Sequence, residues 1–239
     1  MERRPWNAIP IDPSPDALVP LPAALWRLEP HPYVALGAPY GEGGSPFQLR
    51  QGVVERLLAA QRALQSQQPE WRLAIFDGWR PLAVQAFMVR HATAELCRDR
   101  GVDPLAAGPA LAEVSREVGR FWAPPNPDPG APPPHSTGAA VDLTLADRHG
   151  APIDMGSPID AIGAVSAPDH FLGVAAASRD AGERERALAV HGHRRLLQKV
   201  MAAAGFAQHP GEWWHFSWGD QLWAWRCGQP AAIYGRVGV

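Results

Sequence analysis

The sequence predicts one α+β domain, an antiparallel β-sheet flanked by helices, and three observations lead there. At 239 residues the chain is long enough for a single compact core and cramped for two. Helical periodicity dominates the first half, whereas the second mixes short apolar strands with one long amphipathic helix. Near the end, Gly219 and Asp220 separate two aromatic runs, a hairpin signal that asks for antiparallel pairing. Apolar residues at 46% and charged residues at 19% are the proportions of an ordinary globular chain, so 1–239 is read as one domain.

The elements follow in order. Residues 1–44 are rich in Pro and Gly with short apolar runs, which predicts an extended N-terminal segment wrapping the domain, with a strand at 33–36. Ser45 and Pro46 have the form of an N-cap and a first helical position. Beyond them Val53, Val54, Leu57, Leu58, Gln61 and Leu64 keep a 3.6-residue period, predicting a helix to Gln67. The alternating stretch 71–76 is a strand that runs into a loop at Asp77 and Gly78.

Pro81 opens a second helix with Val84, Phe87, Met88, His91, Ala92 and Glu95 on one face, stopped at Gly101. A weaker helix covers 109–122. Residues 124–134 hold seven prolines in eleven positions, which excludes helix and central strand and leaves an irregular loop delivering His135. The apolar run 139–145 is a strand, and 183–204 is a long helix closed by Gly205. Residues 213–218 and 222–226 are the two strands of the hairpin. In the first, alternation puts Trp213, His215 and Ser217 on one face and Trp214, Phe216 and Trp218 on the other.

Composition excludes several classes of function. A net charge of -2 without a basic, aromatic-interleaved cluster argues against nucleic acid. No apolar stretch approaches a membrane span, and the first twenty residues, broken by prolines, lack the apolar centre of a secretory signal. Two cysteines without a CxxC pair fit a reducing compartment, so the protein is expected in the cytoplasm. Oligomeric state is left open.

His135 and Asp142 lie seven apart in HSTGAAVD, with Gly138 between them to allow a sharp turn. Such a pair alone is common. Glu212 and His215, three apart in EWWH, supply a second carboxylate and imidazole. Two imidazoles and one carboxylate leave one position of a tetrahedral zinc open, as catalytic sites do, and Glu212 is then free to serve as a base. In DGWRP, Arg80 sits at a strand-to-loop junction, where it is either an oxyanion donor or a plain surface residue. His191 and His193, together with the run Arg184, Arg186, Arg194, Arg195 and Lys199, read as solvated faces of the long helix, and His31, His149, His170 and His209 as solvated loop residues. The tryptophans near the C-terminus read as core and pocket lining.

FDGWRP, HSTGAAVD and EWWH together resemble the D-alanyl-D-alanine dipeptidases of the vancomycin-resistance type, zinc D,D-dipeptidases of peptidase family M15. The three motifs fall in family order over roughly residues 30–230. The resemblance implies a zinc D,D-peptidase or Hedgehog-like fold and hydrolysis of D-alanyl-D-alanine to D-alanine in cell-wall turnover. It also implies one zinc per chain on His135, Asp142 and His215, Glu212 as general base and acid, and Arg80 steadying the tetrahedral intermediate. MGSPID is similar to the family stretch MG[ST]xFD, whose Asp holds the dipeptide's ammonium, a role that falls on Asp160. The family's Ser two places before the first ligand is Pro133 here, and Ser136 and Ser157 are the candidates to replace its hydroxyl. Two alternatives remain: a D,D-carboxypeptidase or cell-wall endopeptidase with the same zinc site, and a non-catalytic zinc module, against which Glu212 and Arg80 argue.

Overall fold

A run of seven residues with no polar interruption except Asp142 and Thr144 has no exposed face to offer, and it becomes the centre of the sheet. This is β5 (Ala140–Ala146) of the computed structural model, which describes residues 4–122 and 125–238; every residue of the strand is buried. The main sheet has the order β2 (Trp26–Arg27), β4 (Arg72–Asp77), β5, β7 (His215–Ser217), β6 (Ala207–Gln208). A separate antiparallel pair joins β1 (Leu18–Pro20) to β3 (Gln48–Arg50). In the main sheet β2 (Trp26–Arg27) runs parallel to β4 (Arg72–Asp77), and the other pairs are antiparallel. The sheet is therefore antiparallel, as expected, except at its N-terminal edge.

Two expectations in the N-terminal region are corrected. The strand at 33–36 is instead a single helical turn, α1 (Pro32–Ala35), because Pro32 presets the backbone for a first helical position and the Ala35 N–H reaches the His31 carbonyl at 3.0 Å. Ser45 and Pro46 do not open the next helix. Residues 48–50 find a strand partner at 18–20 first, so α2 (Gln51–Gln65) begins at Gln51. Its buried face is Val53, Val54, Leu57, Ala60, Gln61 and Leu64, close to the periodic set. Gln61 Oε1 accepts the Leu73 N–H at 2.7 Å and locks α2 to β4.

Helices α3 (Leu82–Arg100), capped by Gly101 with φ 64°, and α4 (Pro109–Phe121) form a side cluster with Tyr33, Tyr40 and Trp122. Residues 125–133 are irregular, as their prolines require, and Pro124 lies outside the described residues. A short helix that the periodicity did not reveal, α5 (His170–Ala177), packs on α6 (Ala181–Ala203). The Asp180 side chain accepts the Glu183 N–H at 2.7 Å, so α6 starts slightly earlier than its charge pattern suggests.

The predicted C-terminal hairpin is the third correction. β6 (Ala207–Gln208) pairs with β7 (His215–Ser217), but residues 222–226 are not a strand. Asp220 accepts the Trp223 N–H at 2.8 Å and caps a helix, α7 (Gln221–Arg226), where Gly219 at φ 91° turns the chain. Trp213 and Trp214 join the main core, which lies between the sheet and α2 and α6. Among the described residues no helix is long and apolar enough to cross a membrane.

Arg194 departs from the solvated-face reading of α6. It is 1% exposed and donates to the carbonyls of Met155 (2.8 Å), Ala167 (2.8 Å) and Val165 (3.0 Å) and to Ser157 Oγ (3.2 Å). Its guanidinium lies 4.8 Å from the Phe171 ring and 5.2 Å from the Trp213 ring. The side chain thereby pins the 155–167 loop, which carries Asp160, to the core. Arg194→Ala is expected to lower stability by about 3 kcal/mol or more, since it strands several buried carbonyls. Urea unfolding checks this, and a change within about 0.5 kcal/mol, the range of a free surface site, would return Arg194 to the surface class.

Candidate active site

Strand pairing does most of the assembly. Asp142 on β5 stands opposite His215 on β7 and, beyond a bulge, opposite Asp77 on β4. Side chains directly opposite in an antiparallel pair come within contact distance. His135 arrives from a 3-10 turn (Pro134–Thr137) that Gly138, at φ 70°, ends in a left-handed conformation. The result is that one donor atom each from His135, Asp142 and His215 lies within 4.8 Å of the others, all three residues buried.

The DGWRP and HSTG loops are clasped. His135 Nδ1 bonds the Gly78 carbonyl at 2.7 Å, and the Arg80 N–H bonds the His135 carbonyl at 3.1 Å. A carbonyl only accepts, so Nδ1 carries the proton and Nε2 is left bare, 3.2 Å from Asp142 Oδ2. Gly78 cannot be anything larger, because a Cβ there would sit 2.8 Å from the Pro46 carbonyl and 2.9 Å from that of Gln48. His215 turns Nδ1 to Asp142 Oδ1 at 3.0 Å. Burial works to raise the Asp142 carboxyl, but the two histidines outweigh it and hold the group well below the usual carboxylate range. Two imidazoles around an ionised carboxylate are a donor set that fits zinc.

Arg80 is 5% exposed, not a surface residue. Its Nε and Nη2 both reach Asp77 Oδ2, at 2.8 and 2.5 Å, Nη1 donates to Gln85 Oε1 at 3.0 Å, and Nη2 stands 3.7 Å from Asp142. Asp77 and Asp142 would repel each other across the strand pair; the guanidinium between them offsets this. Tyr33 and Trp122 present their rings to the same guanidinium at 5.2 and 5.3 Å.

Glu212 lies on the other side, its carboxylate 3.9 Å from His215 Nδ1 and 3.7 Å from His209 Nδ1. Burial, and then repulsion from Asp142 and Asp160, lift its carboxyl well above the usual range. A cavity of about 350 Å³ reaches Glu212, lined also by Arg4, Trp6, His209 and Trp225. Asp160 is half-buried, at the rare positive φ of 63°, and accepts a short hydrogen bond from the Tyr33 hydroxyl. Burial and then Asp142 raise the Asp160 carboxyl to about 6. The Ser136 hydroxyl donates to the Pro133 carbonyl at 2.7 Å, and Ser157 Oγ accepts from Trp213 Nε1 at 2.9 Å and from Arg194.

Three site neighbours escaped the sequence reading. Tyr33 was read only as part of a strand. His31 is 4% exposed among the rings of Tyr33, Tyr40, Phe47 and Phe76, with Nε2 3.6 Å from Asp77 Oδ1. His209 packs edge-on to His215 and Trp6, and burial and then the nearby His215 depress it to about 3. Neither histidine is a solvated loop residue. Only the spacing of His209 from Glu212 offered a signal, and it was too common to use.

Comparison with known proteins identifies the family. The family described as D-Ala-D-Ala dipeptidase, Peptidase M15, matches residues 27–231. A D-alanyl-D-alanine dipeptidase from Synechocystis sp. is 44% identical over 243 residues, covering 98% of this chain and 97% of the relative. The D-alanyl-D-alanine dipeptidase of Escherichia coli K12 is 38% identical over 82 residues, 34% of this chain and 36% of the relative. Among solved structures, the vancomycin resistance D,D-pentapeptidase VanY E175A mutant in complex with Zn(II) aligns with a TM-score of 0.43 and 15% identity, covering 83% of this chain and 82% of that one. With the family match spanning most of the chain and a near full-length relative at this identity, the chain belongs to the D-Ala-D-Ala dipeptidase family of M15 peptidases.

Proposed function

We propose that this chain hydrolyses D-alanyl-D-alanine to two molecules of D-alanine, with one zinc ion held by His135, Asp142 and His215. The observation that carries the reading is the convergence of those three donors with Glu212 on one side and Arg80 on the other. When bound, zinc supplies Lewis-acid polarisation of the scissile carbonyl and acidifies water.

The protein's own groups do the rest. Glu212, half-buried and 3.9 Å from His215, takes the proton of the attacking water at its carboxylate and passes it to the departing amine nitrogen. Arg80, held rigid by Asp77, offers fixed N–H donors to the charge that grows on the carbonyl oxygen. Asp160, braced by Tyr33, pairs with the ammonium of the dipeptide. With both serine hydroxyls engaged by the protein itself, this carboxylate and the tyrosine carry the amino-end recognition that Pro133 cannot. Two free thiols, Cys97 and Cys227, suit a reducing cytoplasmic setting.

Recognition of a free ammonium separates a dipeptidase from a carboxypeptidase or endopeptidase. D-Ala-D-Ala is expected to be turned over and its N-acetyl derivative left intact, assayed by release of D-alanine. Turnover of both at similar rates would sink the dipeptidase reading in favour of the longer-peptide one. The carboxylate form of Asp160 is the binding form, so kcat/KM for the dipeptide is expected to fall as pH drops through about 6. In Asp160→Asn the KM is expected to be high across the pH range.

A further inference from the structure

We infer that Ser217 and Asp220 form a positioning relay behind His215 that fixes its tautomer, leaving Nδ1 bare for the metal. The inference rests on the proposed metal site but concerns a different pair of residues. Ser217 and Asp220 are 0% and 1% exposed. Asp220 uses one oxygen, Oδ1, to cap α7 through the Trp223 N–H at 2.8 Å, and the other, Oδ2, to accept the Ser217 hydroxyl at 2.8 Å. The hydroxyl is the donor in that bond, so its hydrogen lies toward Asp220.

The remaining lone pairs of Ser217 Oγ then face His215 Nε2 at 3.4 Å, where an N–H is the only matching group. Placing the imidazole proton on Nε2 strips it from Nδ1, the atom 3.0 Å from Asp142 Oδ1 and 3.9 Å from Glu212 Oε2. Without the relay, those two acidic oxygens would draw the proton to Nδ1 and block the donor. His135 meets the same need through a backbone carbonyl, that of Gly78, which no side-chain substitution removes. The device behind His215 is made of side chains and depends on Asp220 Oδ2 accepting from Ser217. Because Asp220 also caps α7, the last helix and the metal ligand are tied through one carboxylate.

Asp220→Asn separates the two duties. Its oxygen still caps α7, but its amide now donates to Ser217 Oγ, turning the hydroxyl hydrogen onto His215 Nε2 and driving the imidazole proton to Nδ1. Zinc titration of the purified apoprotein against a chromophoric chelator is expected to show affinity about 10- to 100-fold weaker in Asp220→Asn, and weaker also in Ser217→Ala. Nitrogen-15 NMR of the folded, metal-free protein is expected to place the His215 proton on Nε2 in the wild type and on Nδ1 in Asp220→Asn. Unchanged zinc affinity and tautomer in both variants would overturn the relay, as would a loss of thermal stability with neither of those altered. A wild-type protein that took up no zinc would refute the metal site instead, and the NMR comparison would still decide the relay.

Discussion

Glu212→Ala is expected to lower kcat for D-Ala-D-Ala by up to about 10⁴-fold while the protein keeps one zinc per chain, since removing a general acid–base group costs about 10² to 10⁴ in rate. Glu212 is not among the three donors that converge; its carboxylate meets the set only through His215, at 3.9 Å. Its removal therefore leaves the metal ligands in place and takes away the proton carrier. The carboxyl is lifted by burial and then by Asp142 and Asp160, which raises its affinity for the proton it carries. Steady-state kinetics beside metal analysis checks the pair of expectations. Persistent hydrolysis would take the base role from Glu212, and loss of zinc would make it a ligand.

Asp142→Ala is expected to remove zinc and activity together. Asp142 is the hub of the site: one oxygen stands 3.2 Å from His135 Nε2, the other 3.0 Å from His215 Nδ1, and Arg80 lies 3.7 Å away. Without its charge, two imidazoles and a guanidinium face one another in a buried space where a further cation is repelled. His135→Ala and His215→Ala should likewise lose the metal. Stoichiometric zinc in purified Asp142→Ala would end the ligand assignment. The sign of the pH effect is also set: the Asp142 carboxyl lies below its unfolded value, so its contribution to the metal-free fold is present above the ordinary carboxylate range and lost as pH falls through the folded value.

The elements that the sequence revealed were those with strong local pattern. The buried face of α2, the extent of α3, the irregular proline loop and the strands β4 and β5 follow from periodicity, proline chemistry and apolar runs, whereas α3 buries Gln85 and Cys97 and leaves Glu95 exposed. Residues 222–226 failed the same test because their aromatic residues favour strands, a preference that context overrides; Asp220, accepting the Trp223 N–H, caps them as α7. The turn at α1 was too short for any period to register.

By itself the sequence determined which residues could meet in a site, because the motifs around Arg80, His135, Asp142, Glu212 and His215 keep chemistry-bearing side chains at short, fixed spacings. Only the tertiary structure decided how they meet. The register that sets Asp142 between Asp77 and His215, the burial of His31 and the bonds of Arg194 to the Asp160 loop all depend on segments distant in the chain. Spacing along a chain limits only near neighbours, whereas the direction of a hydrogen bond and the cost of a buried charge depend on whatever packing brings alongside.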